Sequence, residues 1–152
     1  PLSVIQPQYH MLDRYIEDEI IGICEENGIG IVTFSPLAQG LLTGKYRKGC
    51  PIPAGSRATW QADRQINNLL TEENLEKVEK LLKIAGELNV PLSVLALAWI
   101  LRQKQVTSVI TGASRPTQLE TNVQASGFCI PENALAEIET VLDYKPFVRR
   151  IG

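Results

Sequence analysis

Two short segments of the chain combine residue types that suit a phosphorylated ligand with a flat ring. The first, residues 34–46, starts with Phe34 and Ser35, turns at a proline and continues through glycines to Lys45. It therefore offers an aromatic ring, a hydroxyl donor and a positive charge in one loop. The second, residues 112–116, places a serine and Arg115 directly before a proline, a pattern that can open a helix and bind an anion. Each segment follows an apolar run, so the sequence predicts a nucleotide site at two strand ends.

Three apolar runs predict the β-strands that would position these segments. They cover Ser3–Tyr9, Gly30–Ser35 and Val106–Thr111, and helical patterns separate them. This alternation favours parallel strands with right-handed crossovers. Three parallel strands can neither bury both faces of a sheet nor close a barrel. Either further strands are supplied by another chain or helices cover an open sheet, and we favour the first alternative. A start at Pro1 also suggests a piece of a longer polypeptide, although processing could produce it.

Capping residues and apolar spacing predict the helices. Asp13 is expected to cap the first helix and Gly28 to end it, with Tyr15, Ile16, Ile20, Ile23 and Cys24 on its inner side. Thr71 is expected to cap an amphipathic helix with Leu75, Val78, Leu81, Leu82, Ala85 and Leu88 inside. A more deeply buried helix is expected after Pro91, one with Pro116 in its first turn, and a last one from about Glu132 to Leu142.

Composition restricts the class of protein. The chain has 152 residues, 44% hydrophobic and 21% charged, which is ordinary for one globular domain. A formal net charge of -2 gives no support for nucleic-acid or membrane binding. No apolar stretch approaches the roughly 18 residues of a membrane span, and the N-terminus does not resemble a signal peptide. Cys24, Cys50 and Cys129 lack metal-ligand spacing, so we expect reduced thiols, no metal and a cytoplasmic location.

Three motifs resemble the aldo-keto reductases: residues 6–10, residues 34–46 and residues 111–119. The resemblance is strongest to the branch that contains the voltage-gated potassium-channel beta subunits and their bacterial and plant relatives. It implies an α/β chain that is the C-terminal portion, the sixth to eighth strands with their helices, of a (β/α)8 TIM barrel. The N-terminal strands would lie on the same or another chain. The aperiodic residues from about 40 to 68 would be a loop that covers the cofactor, NADP(H).

The resemblance also implies roles for individual residues around the nicotinamide and the pyrophosphate. Gln6 would hydrogen-bond the nicotinamide carboxamide, and Phe34 would stack on the ring. The segment Ser35, Pro36 and Leu37 would wrap the pyrophosphate, with Gln39 in the same cofactor-binding set. Lys45 and Arg57 would belong to the closing loop.

A second group would hold the 2′-phosphate and the adenine. Its members are Gly112, Ser114, Arg115, Gln118 and Asn122. A dianionic 2′-phosphate favours a charge-assisted, bidentate partner, which an arginine can provide. Relatives commonly carry a glutamate toward the adenine where this chain has Thr121, so that contact is not expected here.

The resemblance places the catalytic tyrosine, lysine, aspartate and histidine or asparagine on earlier strands, so none is expected in this chain. His10, the sole histidine, is expected to be structural, and Tyr9 and Tyr46 do not match the proton donor. The chain would bind the cofactor and form one wall of a pocket for a small carbonyl substrate. The alternative is a redox-sensing regulatory beta subunit, with a channel partner or a homo-oligomer. A third possibility is an isolated half-barrel that self-associates.

Overall fold

The structure, a computed structural model, describes residues 1–60 and 64–146. Its three strands form one parallel sheet in the order β1 (Val4–Ile5), β2 (Gly30–Thr33) and β3 (Val106–Val109). The prediction of three parallel strands is confirmed, and each strand is shorter than its apolar run. β1 ends before Pro7, which has no N–H for a ladder, and pairing with the second strand resumes at Gln8 opposite Phe34.

Six α-helices accompany the sheet in the described residues. They are α1 (Ile20–Glu26), α2 (Arg64–Leu69), α3 (Glu72–Glu87), α4 (Leu92–Leu101), α5 (Pro116–Asn122) and α6 (Glu132–Leu142). Short 3-10 helices lie at Tyr15–Glu17, Ala38–Thr43, Arg57–Thr59 and Val123–Ala125. The predicted loop is therefore partly ordered into short helices, and its residues 61–63 lie outside the described residues.

The predicted start of α3 is confirmed. The side chain of Thr71 accepts a hydrogen bond of 3.1 Å from the backbone N–H of Asn74, so it occupies the N-cap position. Pro116 lies in the first turn of α5, also as predicted.

The predicted start of the first helix is wrong. Asp13 caps nothing, because its carboxylate accepts a hydrogen bond of 2.8 Å from Gln8 and its backbone pairs with His10. The chain then forms a 3-10 turn before α1 begins at Ile20. Gly28, at φ 64°, follows the C-cap residue of α1 and ends the helix as expected.

The core is built around α4. Its residues Leu92 and Val94–Ile100 are all buried, because α4 contacts β3, α3 and α5 on different sides. α3 contributes one face to the same core and packs on α6, with Val78, Leu81 and Ala85 buried as predicted and Leu75, Leu82 and Leu88 half-buried. The predicted inner face of the first helix is only partly correct: Ile16 and Cys24 are buried, whereas Tyr15 and Ile23 are exposed.

Among residues 1–60 and 64–146, no single helix is long and apolar enough to cross a membrane. α3 and α4 would satisfy the length and composition only as a pair, and they are bent by 91° at their junction.

Candidate functional site

The carboxyl ends of β1 and β2 bring two predicted site residues to the same edge of the sheet. The N–H of Phe34 donates to the carbonyl of Pro7 at 3.1 Å, and the N–H of Tyr9 donates to the carbonyl of Phe34 at 3.4 Å. Gln6, directly before Pro7, is exposed beside this pairing. The Phe34 side chain is 37% exposed, so part of its ring is a free apolar surface at the strand end.

The turn after Phe34 has an unusual backbone. Ser35 (φ 57°), Ala38 (φ 48°) and Gln39 (φ 57°) are non-glycine residues in the left-handed region. Each such residue costs on the order of 1 kcal/mol and persists only where the surroundings enforce it. Here the enforcing bonds run from Ala38 N–H to the Ser35 carbonyl (3.0 Å) and from Gly40 N–H to the Leu37 carbonyl (2.8 Å). Concentrated strain of this kind is typical of functional sites.

Two residues of this turn face the core. Pro36 is buried, and Leu37 is half-buried and packs against the hydrophobic core. Their side chains are therefore occupied with packing, and any contact with a pyrophosphate would come from their main chain.

Three predicted site residues are joined by side-chain hydrogen bonds. The Nε2 of Gln39 donates to the Oγ of Ser35 at 2.8 Å, and the Arg57 guanidinium donates to the Oε1 of the same glutamine. Arg57 belongs to the predicted covering loop, 18 residues beyond Gln39. The structure thus brings a loop cation to the strand end that carries Phe34.

Lys45 lies against the same turn. Its Nζ is 5.1 Å from the centroid of the Tyr46 ring, a cation–π contact. A Cβ atom at Gly40 would lie 2.8 Å from this Nζ, and Gly40 has φ 96°. The φ of 96° favours glycine at this position, and the absence of a side chain leaves room for the Lys45 ammonium at the turn.

The second predicted group lies at the end of the neighbouring strand. β3 stays paired with β2 to its end, because the N–H of Ile110 donates to the carbonyl of Thr33 at 2.9 Å. Gly112 follows two residues later and is exposed. The carboxyl ends of all three described strands therefore lie at one edge of the sheet, which is where parallel α/β proteins place their ligands.

Within the second group, the Gln118 side chain holds the turn at Ser114 by two hydrogen bonds. The N–H and the Oγ of Ser114 both donate to the Oε1 of Gln118, at 2.8 and 3.3 Å. Arg115 takes the N-cap position of α5 with an exposed side chain, and Asn122 is half-buried at the end of the helix. Thr121 donates its hydroxyl to a carbonyl one turn earlier in α5. Among the described residues, no hydrogen bond joins this group to the Ser35 group.

His10 is completely buried. Its Nδ1 accepts a hydrogen bond of 3.2 Å from the N–H of Leu12. Burial lowers the pKa of His10 to about 4, and the nearby Asp13 carboxylate only partly opposes this. The imidazole is neutral at neutral pH, which supports the structural interpretation.

A partly buried polar cluster around Tyr9 was not foreseen from the sequence. The Tyr9 hydroxyl donates to Glu17 at 2.5 Å, and Arg14 pairs with both Glu17 (2.7 Å) and Glu139 (2.5 Å). Burial, and then the hydrogen bond to Glu17, raise the pKa of Tyr9 far above its usual range. Since Tyr9 also pairs with the main chain of Phe34, the cluster anchors the strand end. Local pattern could not reveal it, because Arg14 and Glu139 are 125 residues apart.

A parallel sheet with basic and aromatic residues beyond its carboxyl edge defines an α/β protein, a class that places its ligands at this edge. Comparison with known proteins gives the family: residues 1–143 match the model of the aldo/keto reductase family. The chain belongs to this family, and the resemblance of its motifs is confirmed.

Several curated proteins are similar to this chain. It is 38% identical over 142 residues to the L-glyceraldehyde 3-phosphate reductase of Escherichia coli K12, covering 91% of this chain and 41% of that protein. It is 42% identical over 147 residues to a probable voltage-gated potassium channel subunit beta of Arabidopsis thaliana, covering 94% and 44%. The NADH-specific methylglyoxal reductase of Escherichia coli K12 is 38% identical over 124 residues, covering 82% and 37%. The chain spans less than half the length of these relatives.

A solved structure shows the fold. The chain is similar over its whole length to 46% of the glycerol dehydrogenase of Gluconobacter oxydans, with a TM-score of 0.76 and 24% identity. That enzyme is a TIM barrel, and at 24% identity the likeness shows the fold alone. The predicted fold class, the C-terminal portion of a (β/α)8 barrel, is thereby confirmed.

Proposed function

We propose that this chain is the NADPH-binding part of an aldo-keto reductase that reduces aldehydes or ketones to alcohols by hydride transfer. The observation that carries the proposal is the chain of contacts from Ser35 through Gln39 to Arg57, beside the exposed ring of Phe34. It brings a flat apolar surface, a hydroxyl and a cation to the carboxyl edge of a parallel sheet, where barrel enzymes hold their ligands.

These residues fit the cofactor by the chemistry of their side chains. NADPH, when bound, supplies the hydride. Phe34 would cover one face of the nicotinamide, so that hydride leaves from the other face, and Gln6 would hold the carboxamide. The Ser35 hydroxyl, Arg57 and Lys45 are donors and cations suited to the pyrophosphate.

The preference for NADPH rests on the second strand end. Arg115 is exposed at the start of α5, next to Ser114, and a guanidinium is a bidentate partner for a 2′-phosphate. Family membership alone leaves the choice of cofactor open, since one of the similar proteins is named an NADH-specific reductase.

The remaining chemistry would come from residues that the family resemblance places outside this chain. The proton for the carbonyl oxygen would come from the family's tyrosine. The residues described here would bind and orient the cofactor and form one wall of the pocket for a small carbonyl substrate. The free cysteines Cys24, Cys50 and Cys129 support a reducing, cytoplasmic setting.

The test uses the complete polypeptide that carries this sequence. We expect it to consume NADPH with at least one compound from a broad panel of aldehydes and ketones, followed by nicotinamide absorbance. A folded protein that neither binds NADPH nor reduces any member of the panel would overturn the proposal.

The second candidate is a redox-sensing regulatory beta subunit of a voltage-gated potassium channel. It is favoured by the 42% identity to the protein of that name in Arabidopsis and the 37% identity to one in Schizosaccharomyces pombe. In that function cofactor binding matters more than turnover. Tetramer formation and co-purification with a channel would support it, whereas fast multiple turnover without such a partner would count against it.

A further inference from the structure

We propose that Gln39 is a positioning residue, whose side chain couples Ser35 to Arg57 and so holds the covering loop at the strand end. The inference concerns residues 56–60 of the loop, called here the Arg57 segment. Its cofactor-dependent part rests on the proposed function, whereas its contacts are those of the protein alone.

Hydrogen-bonding chemistry fixes the orientation of the Gln39 amide. A guanidinium has donors and no acceptor, so the amide oxygen must face Arg57. The amide nitrogen then faces Ser35, whose Oγ accepts at 2.8 Å. Both ends of the amide are thus engaged within the protein. Because Ser35 acts as the acceptor, its own hydroxyl proton can still be donated to a ligand.

The strained backbone gives Gln39 its reach. Gln39 has φ 57° and follows Ala38 at φ 48°, so the side chain leaves the turn in a direction that a regular helix would not allow. From there it spans Ser35, four residues back, and Arg57, 18 residues ahead. Asparagine would tolerate the same backbone but is one methylene shorter. Glutamate would have the length but no donor for Ser35.

The contacts divide the loop into two tethered parts. The earlier part is bound to α3 by ion pairs between Arg47 and Glu79 (2.7 Å) and between Lys48 and Glu76 (2.6 Å). The later part is the Arg57 segment, where the N–H of Trp60 donates to the Arg57 carbonyl at 3.0 Å. Gln39 ties this second part to the strand end beside Phe34. Loss of the bridge should therefore free Arg57 while the tether to α3 remains.

The first readout is the dissociation constant for NADPH in the complete polypeptide, measured by nicotinamide fluorescence. Gln39→Leu, which keeps the size and loses both polar groups, should weaken binding about fivefold, the effect of one typical hydrogen bond. In an Arg57→Ala background the same change should have an effect of less than about twofold, because the two residues act as one unit. Gln39→Asn should weaken binding as Gln39→Leu does.

The second readout needs no cofactor. Hydrogen exchange at the Thr59 and Trp60 amides, which bond within the Arg57 segment, should speed up in Gln39→Leu and in Arg57→Ala. The double variant should exchange no faster than either single one. Arg47→Gln, which removes a cation from the other part of the loop, is the matched control and should leave these two amides unchanged.

The outcomes separate the two proposals. If Gln39→Leu and Arg57→Ala speed up exchange at these amides but the wild-type protein binds no cofactor, the bridge is supported and the proposed function is overturned. Additive losses of NADPH affinity, or a Gln39→Asn variant with wild-type affinity and exchange, would overturn the bridge and indicate direct contact or no role. If Gln39→Leu failed to fold, Gln39→Asn, whose backbone preference matches the turn, would give the same comparison.

Discussion

His10 should limit the stability of the protein in acid. It is fully buried, its Nδ1 accepts the N–H of Leu12, and burial lowers its pKa from 6.5 to about 4. As pH falls below 6.5, the unfolded chain takes up this proton, but the folded protein does not until about pH 4. The unfolded state therefore binds more protons in this window, and the free energy of unfolding falls with pH. Below about pH 4 both states are protonated and the effect is complete.

The size of the effect follows from the interval between the two pKa values. Each pH unit in the window costs about 1.4 kcal/mol, so His10 alone should remove about 3 kcal/mol of stability between neutral pH and pH 4. That is a large fraction of the roughly 5–15 kcal/mol that stabilises a typical domain. The carboxylates of the protein add their own pH dependence, so the measurement needs a variant that differs only at this position.

His10→Asn is that variant, because its side-chain oxygen can accept the Leu12 N–H and it does not titrate. Urea unfolding of both proteins at several pH values should give curves whose separation changes by about 3 kcal/mol across the window. His10 is the sole histidine, so its imidazole NMR signal can be followed without assignment. Parallel stability curves, or an imidazole that titrates near pH 6.5 in the folded protein, would show that burial of His10 does not destabilise the protein in acid.

Three further variants test the fold by urea unfolding. Thr71→Ala should lower the free energy of unfolding by about 1 kcal/mol, because the cap of α3 is lost, whereas Thr71→Ser should be nearly neutral. Arg14→Met should cost about 2 kcal/mol, because Glu17 and Glu139 lose their shortest ion pairs and keep only the longer contacts with Arg102, at 4.0 and 3.4 Å; a neutral result would show that the cluster does not anchor the strand end. Ile138→Ala, at a fully buried position of α6, should cost about 3 kcal/mol, and a loss under about 1 kcal/mol would contradict the packing described.

The sequence was a good guide where local chemistry decides the structure. α3 and α6 follow from apolar residues at helical spacing, and the cap at Thr71 follows from the residue type. The parallel sheet follows from the alternation of strands and helices. For the helices and the cap, the determining residues are close in sequence.

It failed where residue type and spacing alone do not decide the contact. Asp13 has the chemistry of a helix cap, but Gln8 uses its carboxylate and the helix begins later. Tyr15 and Ile23 fit the helical spacing of an inner face, yet both side chains are exposed.

The candidate site shows the same division. The aromatic, hydroxyl and basic residues at the strand ends could be recognised by type and order. The bridge through Gln39 could not, because it depends on three non-glycine residues in left-handed conformations and on a partner in the covering loop. Such conformations are uncommon, and they form only when the surrounding structure enforces them.

The proposed NADPH site lies at the strand ends around Phe34 and Ser114, and a comparative titration with two cofactors is its sharpest test. The complete polypeptide, with Arg115→Ala and the control Lys104→Ala, would be titrated with NADPH and NADH. Lys104 is exposed and precedes β3, so it lies at the opposite edge of the sheet. Its replacement by alanine removes one positive charge, as Arg115→Ala does. We expect the wild-type protein to bind NADPH saturably. Arg115→Ala should weaken NADPH binding about tenfold, because a charge-assisted pair to the 2′-phosphate is lost, and should leave NADH binding unchanged. The control Lys104→Ala should bind both cofactors as the wild type does. Folded protein without saturable binding would overturn the cofactor site, and equal effects of Arg115→Ala on both cofactors would overturn the role of Arg115 toward the 2′-phosphate.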